Sequence, residues 1–104
     1  MISIEAFREL ALSFPDVTEQ DHFGMPSFRV KKKIFSTLWI NEQRAMIKLP
    51  LVEQSIFCDY DKTIFYPVPN AWGKKGTTFV ELKKVQKRML KDALTIAWKN
   101  VATR

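Results

Sequence analysis

His22 and Cys58 are the single histidine and the single cysteine of this chain, and between them they span most of the catalytic chemistry a small protein can offer. An imidazole exchanges protons near neutral pH, and a thiolate attacks carbonyls and binds soft metals. Their surroundings in the sequence do not set up either task. His22 follows Asp21, but neighbours on an extended segment point to opposite faces, so the carboxylate cannot orient the ring as a base. His22 therefore reads as a hydrogen-bonded packing residue at a bend. Cys58 stands beside Asp59 and near Asp61, whose negative field disfavours the thiolate, and it reads as a half-buried packing residue that cannot form an internal disulfide. One His and one Cys far apart, with no ligand at i+3 or i+4, do not make a metal site. No catalytic residue, metal site or cofactor is assigned, and the chain is expected to be non-enzymatic.

The second kind of chemistry is cationic. With 17 basic and 11 acidic residues the net charge is +6, and it is uneven: residues 74–104 hold nine basic side chains against two acidic, residues 1–73 eight against nine. Three groups stand out. Lys31, Lys32 and Lys33 lie between two short apolar runs, at the exposed tip of an expected hairpin. Lys74 and Lys75 sit between Gly73 and Gly76, too short a spacing for a nucleotide-binding loop but a flexed turn that offers two ammonium heads and backbone N–H groups to a phosphate. Lys84, Lys87, Arg88 and Lys91 recur at three and four, so they share a helix face opposite Val85, Met89, Ala93 and Ile96. Four like charges on one face repel, each i,i+4 pair costing about 0.2–0.5 kcal/mol, and an anionic partner would remove that penalty. A solvated, solubilising surface explains the same pattern, and the residues alone leave the two readings open.

These side chains need elements to position them. Ser3 followed by Ile4, Phe7, Leu10 and Ala11 predicts a helix from Ile4 to Ser13, ended by Phe14-Pro15. A weak strand at Thr18–His22 leads to a bend at Gly24-Met25-Pro26, with Phe23 and Phe28 expected in the core on either side. Phe28–Val30 and Ile34–Ile40 read as antiparallel strands around the lysines, and Ala45–Leu49 as another. Pro50 opens a short helix through Phe57. Phe65–Pro69, with two prolines, is extended and barred from a central strand position. Trp72 is expected to pack its ring on the core before the last strand, Phe79–Leu82. A helix runs from Lys83 nearly to the end, with Trp98 packing on the first helix. The result is one α+β domain over residues 1–104, with a mostly antiparallel sheet and helices on one face. No basic leader and no apolar run of about 18 residues is present, so a cytoplasmic protein with no membrane contact, and a monomer, is expected.

Three stretches resemble the MmcQ/YjbR family of small bacterial proteins labelled DNA-binding. FPDVTEQDHFGMPSFRVKKKIFSTL is similar to its opening motif, YPVPNAWGKKGTTFVEL to its Pro-rich Trp-Gly motif, and DALTIAWKNVATR to its closing helix. The resemblance implies a two-layer α-β(3)-α-β(2)-α fold of the double-wing and secretion-chaperone kind, and it transfers no catalytic residues. Two positions depart from it. Lys31-Lys32-Lys33 replaces a frequent glycine, which argues against a tight glycine turn there, and Thr77 stands where an aromatic often follows the Gly. The leading expectation is a DNA-binding module with weak, electrostatic contacts to phosphates through the three basic groups. The alternative is a protein-interaction or chaperone-like adaptor that binds a partner segment by the sheet or the surroundings of Trp39, Trp72 and Trp98.

Overall fold

The computed structural model describes residues 1–103. Ser3 caps the first helix, α1 (Ile4–Leu12), its Oγ accepting from the Ala6 N–H at 3.0 Å. Four strands follow: β1 (Val17–His22), β2 (Met25–Val30), β3 (Lys33–Trp39) and β4 (Arg44–Lys48). Pro50, extended, caps α2 (Leu51–Tyr60) from outside the helix. Then come β5 (Phe65–Pro67), the one-turn α3 (Ala71–Lys74), β6 (Thr77–Glu81) and α4 (Lys87–Ala102). The fold is α+β: a six-stranded open sheet in the order β1-β2-β3-β4-β6-β5, antiparallel throughout, with four helices. As Pro67 within it and Pro69 just after it require, β5 is an edge strand. The first hairpin adds one strand to the three that the family resemblance implies before α2, and α3 interrupts the last pair.

Register decides which side chains meet. Residues directly opposite each other share a face, so Phe28, Ser36, Ile47 and Thr78 form one row across the sheet. The ladder slips between Phe28 and Arg29, which leaves Phe35 unpaired and turned onto that same side, where it meets Phe14 edge to face at 6.4 Å. This face is covered by α1, α2 and α4, and Phe7, Phe28, Phe35 and Phe65 are fully buried in it. Each such side chain contributes about 1.5–3 kcal/mol by leaving water. Among the described residues no helix of comparable length covers the other face.

Three expectations change here. Phe23 is not in the core but 91% exposed, because His22 pairs with Met25 and leaves Phe23-Gly24 as a two-residue loop beyond the end of the sheet. Both loop residues have positive φ, +53° and +84°, the signature of a type I′ turn. Pro26, expected in the bend, is paired with Asp21 inside the hairpin. The last helix begins at Lys87 rather than Lys83. Lys84 and Val85 both donate to Glu81 O, making a reverse turn anchored by the buried Val85. With Val85 in the preceding turn, the fully buried stripe of the helix is Leu90, Ala93, Leu94, Ala97 and Val101, and Met89 and Ile96 pack partly buried at its edge.

Candidate nucleic-acid interface

The pairing sorts the basic residues between the two ends of the sheet. At one end β2, β4 and β5 finish and β1, β3 and β6 begin. The β2–β3 turn, residues 31 and 32, is there, with Lys33 as the first residue of β3. Lys48 ends β4 beside Thr77, and Lys74 and Lys75 immediately precede β6. The last turn of α4, which carries Lys99, reaches the same end: Asn100 Nδ2 donates to Lys48 O at 3.0 Å and Lys31 Nζ to Ala102 O at 3.1 Å. Acids adjoining this end are Asp16, just before β1, and Glu53, in the first turn of α2.

Two of these turns are held in demanding conformations. Lys31 and Lys32 have φ of +53° and +68°, so the tight type I′ turn forms without glycine, against the expectation from the Lys-Lys-Lys run. Left-handed backbone costs a residue with a Cβ about 1–2 kcal/mol. Lys31 recovers part of that by capping α4, where an ammonium also meets the negative end of the helix dipole. The Lys74-Lys75 turn is rigid rather than flexed. A Cβ on Gly76, φ +108°, would lie 1.9 Å from Leu49 O, and Gln54 of α2, buried, donates to Gly73 O at 2.9 Å and to Thr77 O at 3.2 Å. The expected backbone cradle is closed, since the N–H groups of Lys75 and Gly76 donate to Trp72 O and Gly73 O. The turn presents ammonium groups alone.

Lys84, Lys87 and Arg88 belong to the opposite end, where β6 finishes and α4 starts, with Lys91 one turn further along. Lys84 precedes the helix, so the four do not form one helix face. Lys87 and the α4 terminus that Lys31 caps are separated by the length of the helix, about 22 Å. Acids mingle with the cations here: Asp21, Glu42, Asp61 and Glu81 come from neighbouring strand ends and turns. The hydrogen bonds from Thr63, with Lys84 among the lesser causes, hold the Asp61 carboxyl below its ordinary range.

The helix-free face carries a groove of about 410 Å³. Its floor is Ile34, Thr37 and Met46, its walls are His22 and Met25 of the first hairpin facing Val68 and Trp72, and Lys48 is at its lysine-rich end. Trp72 is 61% exposed rather than packed on the core, since α3 sits at the sheet margin. Trp39 is folded along the sheet, its Nε1 donating to Thr37 Oγ1 at 3.1 Å and its ring meeting Phe79 edge to face. Arg44 lies over both rings, its Cζ 4.8 Å from the Trp39 centroid and 3.9 Å from that of Phe79. It donates from Nη1 to Tyr66 Oη at 3.2 Å, and the phenol donates to Glu81. Burial first, then the Glu81 hydrogen bond, pushes the Tyr66 phenol above its ordinary range.

His22 is half-buried in the groove wall, its ring against Phe23 at 4.7 Å. Cys58 is buried, and burial with the Asp59 charge pushes its thiol up. Trp98 stacks on Phe14 at 5.9 Å and donates to Pro15 O, so it packs on the segment just after α1 rather than on the helix itself. Among the described residues no group of three or more His, Cys, Asp and Glu is placed to hold a metal, and no helix is long and apolar enough to cross a membrane. Sequence reasoning missed Lys48 and Lys99 at the lysine-rich end and the groove. Lys48 alternates with core residues and reads as a strand's polar face; only strand order brings it beside Lys75.

A search of curated proteins finds no match to the chain. Among solved structures it is similar to the crystal structure of the Deinococcus radiodurans protein DR2400, of the DUF419 domain class. The TM-score is 0.87 at 17% identity, over 100% of this chain and 81% of that one. That likeness establishes the fold independently of any close sequence relationship. The YjbR family model matches residues 12–100, which include the hairpins, the Trp-Gly turn and most of the last helix, and the chain belongs to the YjbR family.

Proposed function

We propose that the chain is a non-enzymatic DNA-binding module whose footprint is the lysine-rich end of the sheet. The single observation that carries this reading is the convergence there of Lys32, Lys33, Lys74, Lys75 and Lys99 from three separate elements with few acids among them. Lys32 is kept in a left-handed turn where glycine would fit at lower cost, as expected of a residue whose charge matters more than its backbone preference. Lys84, Lys87, Arg88 and Lys91 are left outside this footprint. Binding is mainly electrostatic, with a dissociation constant of about 10⁻⁴–10⁻⁶ M at physiological salt. Contacts to about five phosphates give a log–log salt slope of roughly −4 to −5. Fluorescence anisotropy of labelled duplex DNA across a salt series tests this. A flat titration at low salt with folded protein rejects it.

A second reading, a protein-interaction adaptor, is favoured by α2, whose Leu51, Val52, Ile56 and Tyr60 are exposed while Gln54 and Cys58 face inward. Capture from nuclease-treated lysate separates the two: a protein partner persists, whereas one bridged by nucleic acid is lost. Replacing Val52 and Ile56 by Asp abolishes capture only if this helix is the surface used.

A further inference from the structure

We infer that the groove on the helix-free face receives the unpaired bases of a single-stranded nucleic acid, whose backbone continues onto the lysine-rich end. The inference rests on the phosphate-binding reading above and names its substrate more closely. The volume, about 410 Å³, lies in the range of sites that enclose drug-sized groups. Its lining is apolar and aromatic where a base would lie, Ile34 and Met46 below with Met25 and Trp72 at the sides. Trp72 contributes little to the core, yet it stands 61% exposed on a helical turn pinned from beneath by Gln54. A planar ring presented in this way stacks on any base, because every base has a π face.

Charge supplies the second half of the argument. Lys48 closes the lysine-rich end of the groove and also borders an adjoining pocket with Trp72, Lys75 and Thr77, so the apolar channel opens into cationic surface without interruption. An apolar peptide or acyl chain fits the groove but does not answer the positive charge that Lys75 and the turns beyond it bring to this end. A single strand uses both, with bases in the channel and phosphates on the lysines. A duplex offers the groove only base edges and phosphates, its stacked faces being internal.

The test compares an oligothymidylate, a duplex of equal length and thymidine monophosphate, titrated against the full chain at low and moderate salt. Anisotropy and tryptophan fluorescence are the readouts. The single strand is expected to bind about tenfold or more tightly than the duplex and to quench tryptophan emission. Trp72→Ala weakens the single strand about five- to 100-fold and leaves the duplex unchanged, while Trp72→Phe retains most of the affinity. Equal binding of both DNAs with Trp72→Ala silent overturns the groove assignment and leaves the phosphate footprint standing. Monophosphate binding as tight as the oligomer makes the groove a small-molecule site and overturns it too. If neither DNA binds, both readings fall.

Discussion

At one end of the sheet Lys32, Lys33, Lys74, Lys75 and Lys99 project from two turns and a helix terminus beside Asp16 and Glu53. At the other, Lys62, Lys83, Lys84, Lys87 and Arg88 are interleaved with Asp21, Glu42, Asp61 and Glu81. The two groups are similar in number and differ in company. A Debye length of about 10 Å at 0.1 M salt is well short of the roughly 22 Å between them, so each end acts on a partner by its own local sum of charge. Among the described residues the first end has the larger positive sum. The C-terminal third concentrates basic residues in the chain, and folding redistributes them by sending β6 to one end and α4 back to the other.

The comparison breaks most severely through the backbone that builds the lysine-rich end. Gly76→Ala drives a Cβ to 1.9 Å from Leu49 O at φ +108°, and it should destabilise the protein by at least about 3 kcal/mol in urea denaturation. Gly24→Ala, at the opposite end, meets nothing within 4 Å and carries only the left-handed penalty, about 1 kcal/mol. Equal losses would show that the Lys74-Lys75 turn is not held by that close approach.

Charge reversal comes next. Lys32→Glu with Lys75→Glu should lower DNA affinity about 10- to 100-fold at 0.1 M salt and flatten the log–log slope by about 1.8. Lys84→Glu with Lys87→Glu should change it by less than about threefold, since that end is screened from the footprint. Comparable losses from the two pairs would return the last helix to the interface.

The two ends were not equally legible in the sequence. Capping by Ser3, the edge position of the proline-rich strand and the burial of Phe28 follow from local chemistry, and the structure has them so. Phe23 is equally apolar, but its exposure depends on His22 pairing with Met25, a register that alternation alone does not specify at a hairpin tip. Lys84 has helical spacing to Lys87, Arg88 and Lys91, yet the chain must reverse after β6 before a helix can begin. The groove is furthest from view, because its walls come from β1–β2 and from the Val68–Trp72 segment with α3, which are distant in sequence and meet only across β3 and β4.

A smaller effect sharpens the role of the β2–β3 turn. Lys32→Gly relieves a residue at φ +68° and should raise stability by about 1 kcal/mol while removing one phosphate contact, reducing the salt slope by about 0.9. Stability and binding moving in opposite directions would mark the turn as strained for function. If stability falls instead, the Lys32 side chain has a packing role that its exposure does not suggest.

The smallest effect tests the mixed-charge end, where Tyr66 links Arg44 to Glu81. Burial and the Glu81 hydrogen bond raise the folded-state affinity of the phenol for its proton, so above about pH 10 the unfolded chain ionises first. The native state then holds more protons than the unfolded state, and the slope of unfolding free energy with pH is negative. Whatever Tyr66 contributes is complete below about pH 10 and is lost as pH rises through its folded value. Cys58, whose thiol burial also pushes up, titrates in a neighbouring alkaline window, so the comparison is made in a Cys58→Ala background. There, Tyr66→Phe should lower stability at neutral pH and flatten its alkaline decline. An unchanged alkaline slope would mean that the phenol is solvated in the native state, and that the network at this end is a surface contact rather than a buried link between β4 and β6.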